Sequence, residues 1–194
     1  IVLLLSFGKA MGTWTAPLSW RTDAVTTATP LAMLKAGADT LPSKLDMFLG
    51  LRGGCLGETC AVALMLGGVY LMIRKVISPA IPLSFVGTVA VIMLIKGHGD
   101  LDFLVYQLLG GGLLLGAIFM ATDYSTSPLN TKGRIIFGVG CGLLTSVMRL
   151  FTQMPEGVSF AILLMNLLVP HIERLTVPKP FGTPKKEKKE AAAK

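Results

Sequence analysis

Five apolar runs separated by short polar breaks constrain this chain more than any other feature. They occupy 59–73, 81–95, 103–121, 135–151 and 157–172, and the breaks between them carry "RK", "GHGD", "TDYSTSPLNTKGR" and "TQMPE". A helix needs about 20 apolar residues to span a bilayer, so the shorter runs need flanking turns, snorkelling ends or helical neighbours. Charged residues make up 15% of the chain, against about a quarter in a soluble domain. The expected fold is all-α: a polytopic transmembrane helical bundle in which the polar stretch before residue 59 forms an extracytoplasmic loop.

The charge pattern supports a membrane reading over a nucleic-acid one. The net charge is +7, but much of the excess lies in the closing "KKEKKEAAAK" and the rest clusters at the ends of the apolar runs. Basic residues there match the bias of cytoplasmic loops. Placing the lysine-rich tail in the cytoplasm and counting back puts Arg74, Lys75, Lys132 and Arg134 inside. It puts "GHGDLD", "TQMPE" and the whole of 9–58 outside. Lys35, Lys44, Arg52, Lys96 and Arg149 go against the rule, and the balance still favours this arrangement. The opening "IVLLLSFG" is too short to span and has neither the basic front nor the cleavage site of a signal peptide. It reads as the end of a truncated transmembrane helix. The expected organisation is 1–8 for that helix end, 9–58 for the outer loop, 59–174 for a five-helix bundle and 175–194 for a cytoplasmic basic tail.

Glycine is frequent within the runs. Gly112 and Gly116, and Gly138 and Gly142, are four apart, so each pair shares a helix face and lets another backbone come close. Cys55, Cys60 and Cys141 have no CxxC pairing and no histidine at zinc spacing, so no metal site is assigned and packing is the simpler reading. His98 and His171 each stand alone, which argues against haem ligation. Asn166, mid-run in "LLMNLLVP", suits a polar contact between helices. Asp100, Asp102 and Asp123 fall at run ends, where solvation costs little, and no catalytic side chain is assigned. Glu58 lies at the mouth of the 59–73 run, where a helix dipole favours an anion; an ion or flavin site is the other reading.

One polar stretch needs a separate explanation. "RTDAVTTATPLAMLKAG" (21–37) packs four threonines and an aspartate ahead of a short helical pattern. Thr29 suits an N-cap, Pro30 the first helical position and Gly37 the stop. A capped surface helix accounts for the pattern by itself. A helix N-terminus also offers N–H groups and a positive dipole end to a phosphate.

"DAVTTATP" resembles the flavin-attachment motif D-x-x-S/T-x-A-T of the RnfD/NqrB family, through Asp23, Thr26, Ala28 and Thr29; Thr27 stands where the commonest form has glycine. "GLRGGCLGETCAVALMLGGVYLMI" (50–73) looks like the family's G-x-x-G-S-x-G-E-T segment entering a helix, with Cys55 in place of the serine. "FMATDYSTSP" (119–128) is similar to its M-A-T-D-x-x-T/S-S-P loop. The ending "GVSFAILLMNLLVPHIERLTVPKPFG" is nearer to the RnfD branch, and the likeness spans nearly the whole chain as the C-terminal portion of such a subunit.

The resemblance implies a membrane subunit of a ferredoxin:NAD oxidoreductase complex that couples electron transfer to sodium or proton translocation. It implies FMN held covalently on Thr29 as a phosphoester, with Asp23 and Thr26 for recognition, Ala28 for close packing and Glu58 nearby. It extends to a second, non-covalent riboflavin. The implied partners are the other subunits of an Rnf complex, a flavin transferase during maturation, and lipid of a bacterial or archaeal cytoplasmic membrane. The chain has no Rossmann fingerprint and no P-loop, so NAD and ferredoxin are expected to bind elsewhere. Two alternatives stand beside it. One is an NqrB-like subunit of a sodium-pumping NADH:quinone reductase; the other is a flavin-free transporter or scaffold, although no inverted repeat is visible.

Overall fold

A computed structural model describes residues 6–7, 14–15, 26–27, 29–35, 42–51, 57–152 and 157–178. Among the described residues the protein is all-α apart from a two-residue antiparallel pairing of β1 (Trp14–Thr15) with β2 (Thr26–Thr27), in which Trp14 lies opposite Thr27. Two short helices follow, α1 (Pro30–Lys35) and α2 (Lys44–Leu49). The apolar runs become α3 (Ala61–Ile73), α4 (Ala80–Lys96), α5 (Leu101–Leu109), α6 (Leu113–Leu115, continuing as a π-helical turn over Gly116–Met120), α7 (Thr131–Phe151) and α8 (Val158–Thr176). By length and composition α7 and α8 can each cross a membrane, as can α5 with α6 if the two count as one bent span; α3 and α4 are apolar but shorter.

The run at 103–121 departs from its expected form. It is two helical pieces bent by 62° at the glycine triplet, not one continuous helix. Gly111 has φ +62°, a left-handed conformation that costs an L side chain about 1–2 kcal/mol. Three adjacent glycines remove the side-chain contacts that would hold a helix through this point. Gly111→Ala should therefore lower stability by about 1 kcal/mol, read as a drop in the thermal midpoint of the purified chain.

The core is built from stripes at four-residue spacing. On α4 the line Ile81, Phe85, Val89 and Met93 is buried; on α7 the line Phe137, Cys141, Thr145 and Arg149 is buried. Residues four apart lie on one helix face, so these two stripes bring α4 and α7 together. Gly138 and Gly142 set the closeness of that contact. A Cβ at Gly138 would lie 2.9 Å from the Ile81 carbonyl oxygen, and one at Gly142 would lie 2.9 Å from that of Phe85. This is the close backbone approach expected of small residues between membrane helices. The other glycine pair behaves differently. A Cβ at Gly112 would meet the Glu58 carboxylate, whereas one at Gly116 would meet Val158. Gly112 falls at the helix break, so the pair forms no common contact face. Cys141 is fully buried in the core, as the packing reading expects.

The outward faces are as apolar as the core. Leu66, Ile73, Leu83, Ile95, Leu143 and Leu167 are all exposed. A water-soluble monomer rarely carries such continuous apolar surface, whereas lipid accepts it. Asn166 makes no contact between helices through its carbonyl oxygen, which is buried without a hydrogen-bond partner among the described residues. Contacts between loops define the two ends of the bundle. At one end Lys44 pairs with Asp102 and Lys35 donates to the Thr152 carbonyl. At the other, Tyr124 donates to the Val76 carbonyl and the Leu129 N–H to the Glu173 carboxylate.

Candidate functional site

Thr29 is at the start of α1, on the first of these ends. Its carbonyl accepts from the Met33 N–H at 2.9 Å, and its Oγ1 accepts from the Ala32 N–H at 3.4 Å. It is therefore an N-cap, as its position before Pro30 predicts, and it is only 6% exposed. α1 ends at Lys35, and the expected stop at Gly37 lies outside the described residues. Asp23 and Ala28 also lie outside them. For Thr26 the backbone is described: it pairs with Thr15 two residues before the gap that precedes Thr29.

A cavity of about 170 Å³ opens beside α1. Leu31, Leu34, Phe103 and Leu150 give it apolar walls, and Lys35, Gln107 and Arg149 bring the polar groups. Arg149 is 5% exposed. It donates to the Gln107 carbonyl, to Gln107 Oε1 at 3.3 Å and to the Gly110 carbonyl at 3.2 Å. Those two carbonyls belong to the last turn of α5, where the break leaves acceptors without the next turn of helix. The guanidinium thus caps the broken span from across the bundle. The cavity combines apolar walls with cationic, hydrogen-bonding groups, a pairing that suits an aromatic ring bearing carbonyl or anionic groups.

Glu58 is placed elsewhere. Its carboxylate lies over Gly112, the residue that starts α6, and it does not line the cavity. The anion thus lies at the N-cap of the second half of the broken span, whereas the dipole reading placed it at the start of the helix of the 59–73 run. Leu31, two residues after Thr29, and Glu58 both pack against the break, at Gly110 and Gly112 respectively.

Sequence reasoning missed Lys35, Gln107 and Arg149. The signals were there: Lys35 and Arg149 break the charge rule for their side, and Arg149 falls in phase with the buried stripe Phe137, Cys141 and Thr145. Lys44, another exception to the charge rule, is explained by Asp102. Its pKa is raised above the ordinary lysine value, first by the hydrogen bond to Asp102 and further by that carboxylate's charge. The protonated form makes the contact. Docking of α2 on α5 is thus fully supported below lysine's usual titration range and loosens as pH rises through the raised value. Thermal unfolding at increasing alkaline pH should show a destabilisation that Lys44→Met reduces and high salt masks, since the pair is exposed.

Comparison with known proteins adds the decisive observation. The model of the NQR2, RnfD, RnfE family matches residues 1–182. The chain belongs to that family. It is 49% identical over 175 residues to the D subunit of the Na(+)-translocating ferredoxin:NAD(+) oxidoreductase complex of Acetobacterium woodii, covering 89% of this chain and 54% of that relative. It is 44% identical to the D subunit of the proton-translocating ferredoxin:NAD(+) oxidoreductase complex of Clostridium ljungdahlii, covering 93% and 58%. Against the D subunit of the ion-translocating oxidoreductase complex of Stutzerimonas stutzeri the identity is 36%, covering 100% and 64%. The chain therefore spans between about half and two thirds of the length of these relatives. Family membership, two to three spanning-length apolar segments and the apolar outer faces together make this a membrane protein.

Proposed function

We propose that this chain belongs to the D subunit of an Rnf-type complex, which passes electrons between ferredoxin and NAD and translocates sodium ions or protons. In this reading Thr29 carries FMN as a phosphoester. The observation that carries it is the placement of the motif threonine: Thr29 caps a short helix whose next turns line a cavity edged by Lys35 and Arg149. These residues fit a flavin. The cavity offers apolar walls and cationic donors to a ring within a turn or two of the Thr29 hydroxyl.

A bound flavin supplies one- and two-electron transfer that side chains lack. The chain's own groups do the rest. Asp23, Thr26 and Ala28 present the loop to the transferase, which moves FMN from FAD to Thr29. In that step the FAD phosphoanhydride breaks, the Oγ1–phosphorus bond forms, the hydroxyl proton leaves and AMP departs. Glu58 supports the start of α6 and so the shape of the break.

The five apolar segments all cross the membrane in this reading, with the bent pair α5–α6 as one crossing. The loop contacts support it, because they sort the polar segments into the same two groups as the charge rule. The Thr29 end then faces outward and the end with Arg74, Lys132 and Arg134 faces the cytoplasm. Partners are the other complex subunits, the transferase and lipid, with a non-covalent riboflavin as a second cofactor. The Acetobacterium and Clostridium relatives differ in their named ion.

The test is in-gel flavin fluorescence after denaturing electrophoresis of the chain, produced with and without an active transferase. A band that glows only when the transferase is present supports the reading. A dark band beside a labelled control protein refutes it and leaves Thr29 as a cap.

A further inference from the structure

The cavity beside α1 has an odd construction. The carbonyls at the end of α5 could be satisfied by a glycine-based turn, which buries no charge. Here a guanidinium reaches in from α7 to do that job, at a desolvation cost that only its hydrogen bonds to Gln107 and Gly110 offset. A second cation, Lys35, also lines the cavity, and its ammonium is tied to the Thr152 carbonyl at the end of α7. Two positive groups from different helices therefore line one apolar slot.

We propose that this slot seats the carbonyl-bearing end of the flavin ring system, with Arg149 and Lys35 as positioning residues that favour negative charge on the reduced ring. The proposal rests on the reading of Thr29 as flavin acceptor. The distance suits it: Thr29 to Lys35 is six residues, or roughly 9 Å of helical rise at about 1.5 Å per residue, within the combined reach of a ribityl chain and its ring. The size suits it too. A dry cavity of about 150 Å³ accepts a benzene ring, so one of about 170 Å³ takes one end of a fused ring system and leaves the rest at its mouth. Phe103 and Leu31 offer faces for stacking, and the Gln107 amide and Arg149 offer donors to ring carbonyls. Full reduction adds two electrons and, when one proton follows, leaves one negative charge at the N1–C2 carbonyl edge. Cations at that edge make reduction easier.

The test uses the full-length subunit, co-expressed with the transferase and purified in detergent, in an anaerobic dithionite titration against reference dyes. Lys35→Gln and Arg149→Gln should each cut the reduced-to-oxidised ratio about tenfold at the wild-type midpoint, or about 30 mV for a two-electron couple. Lys35→Arg should keep the wild-type potential. Leu34→Trp, which fills the slot, should make flavin fluorescence more open to iodide quenching. If Arg149→Gln fails to fold, the Lys35 pair decides, because Lys35 is exposed and outside the core. Flavin attached in every variant, with potential and quenching unchanged, overturns the proposal and spares the acceptor reading. A wild-type chain without covalent flavin, despite an active transferase, overturns both.

Discussion

Thr29→Ala should give a chain with no covalent flavin: the fluorescent band of the wild type disappears completely. Alanine alone does not separate the two roles of this residue, because it removes the cap together with the hydroxyl. Loss of the cap costs about 1 kcal/mol, and a shortened α1 is a poorer substrate for any transferase. Two further variants divide the roles. Thr29→Asn keeps a good cap but has no hydroxyl to esterify, so it should fold like the wild type and stay dark. Thr29→Ser keeps both and should still glow. The readouts are band fluorescence normalised to protein and the thermal midpoint of the same preparation. Fluorescence in Thr29→Asn would move the acceptor to another residue of the loop, with Thr26 and Thr27 the first to examine. A dark Thr29→Ser would mean that the methyl group matters for recognition.

The second large effect is expected in the bundle itself. Gly138→Val should prevent α4 and α7 from reaching their native separation. Even the first carbon of the new side chain would run into Ser84 Oγ and lie 2.9 Å from the Ile81 carbonyl oxygen. The hydroxyl can rotate away, but the carbonyl belongs to the backbone of α4 and cannot move without the helix. Overpacking of this kind costs about 1–3 kcal/mol, occasionally more, and the neighbouring Gly142 leaves no room for compensation. Gly87→Ala is the matched control. It is also a helix glycine, but a Cβ there meets nothing within 4 Å, so it should be neutral or stabilise by about 0.5–1 kcal/mol. Monodispersity on size-exclusion chromatography and the thermal midpoint in detergent would show the contrast. Equal behaviour of the two variants would mean that the α4–α7 contact is looser than described.

The helices were legible because each is a long apolar run ended by charge, glycine or proline, and those signals are local. Thr29 as a cap was legible for the same reason: threonine before proline ahead of a helical pattern leaves few other local solutions. The break at 110–112 was only half legible. Three glycines announce a weak point, yet the run around them is apolar enough to read as one helix, and the bend depends on what packs at either side. The cavity was not legible at all. Gln107, Arg149 and Lys35 are 114 residues apart at their extremes, and nothing local to any of them indicates the others.

The sequence by itself determined which segments avoid water, where most of the helices lie, and which threonine caps the short helix that Pro30 opens. All three depend on the side chains and backbone of a few consecutive residues. Only the tertiary structure decided that Arg149 turns inward to the open carbonyls of a broken helix, that Glu58 rests on Gly112, and that Gly138 meets a backbone while Gly116 meets a side chain. Those outcomes depend on the separation and rotation of whole helices. Packing across the bundle sets both, and no single stretch of chain contains them.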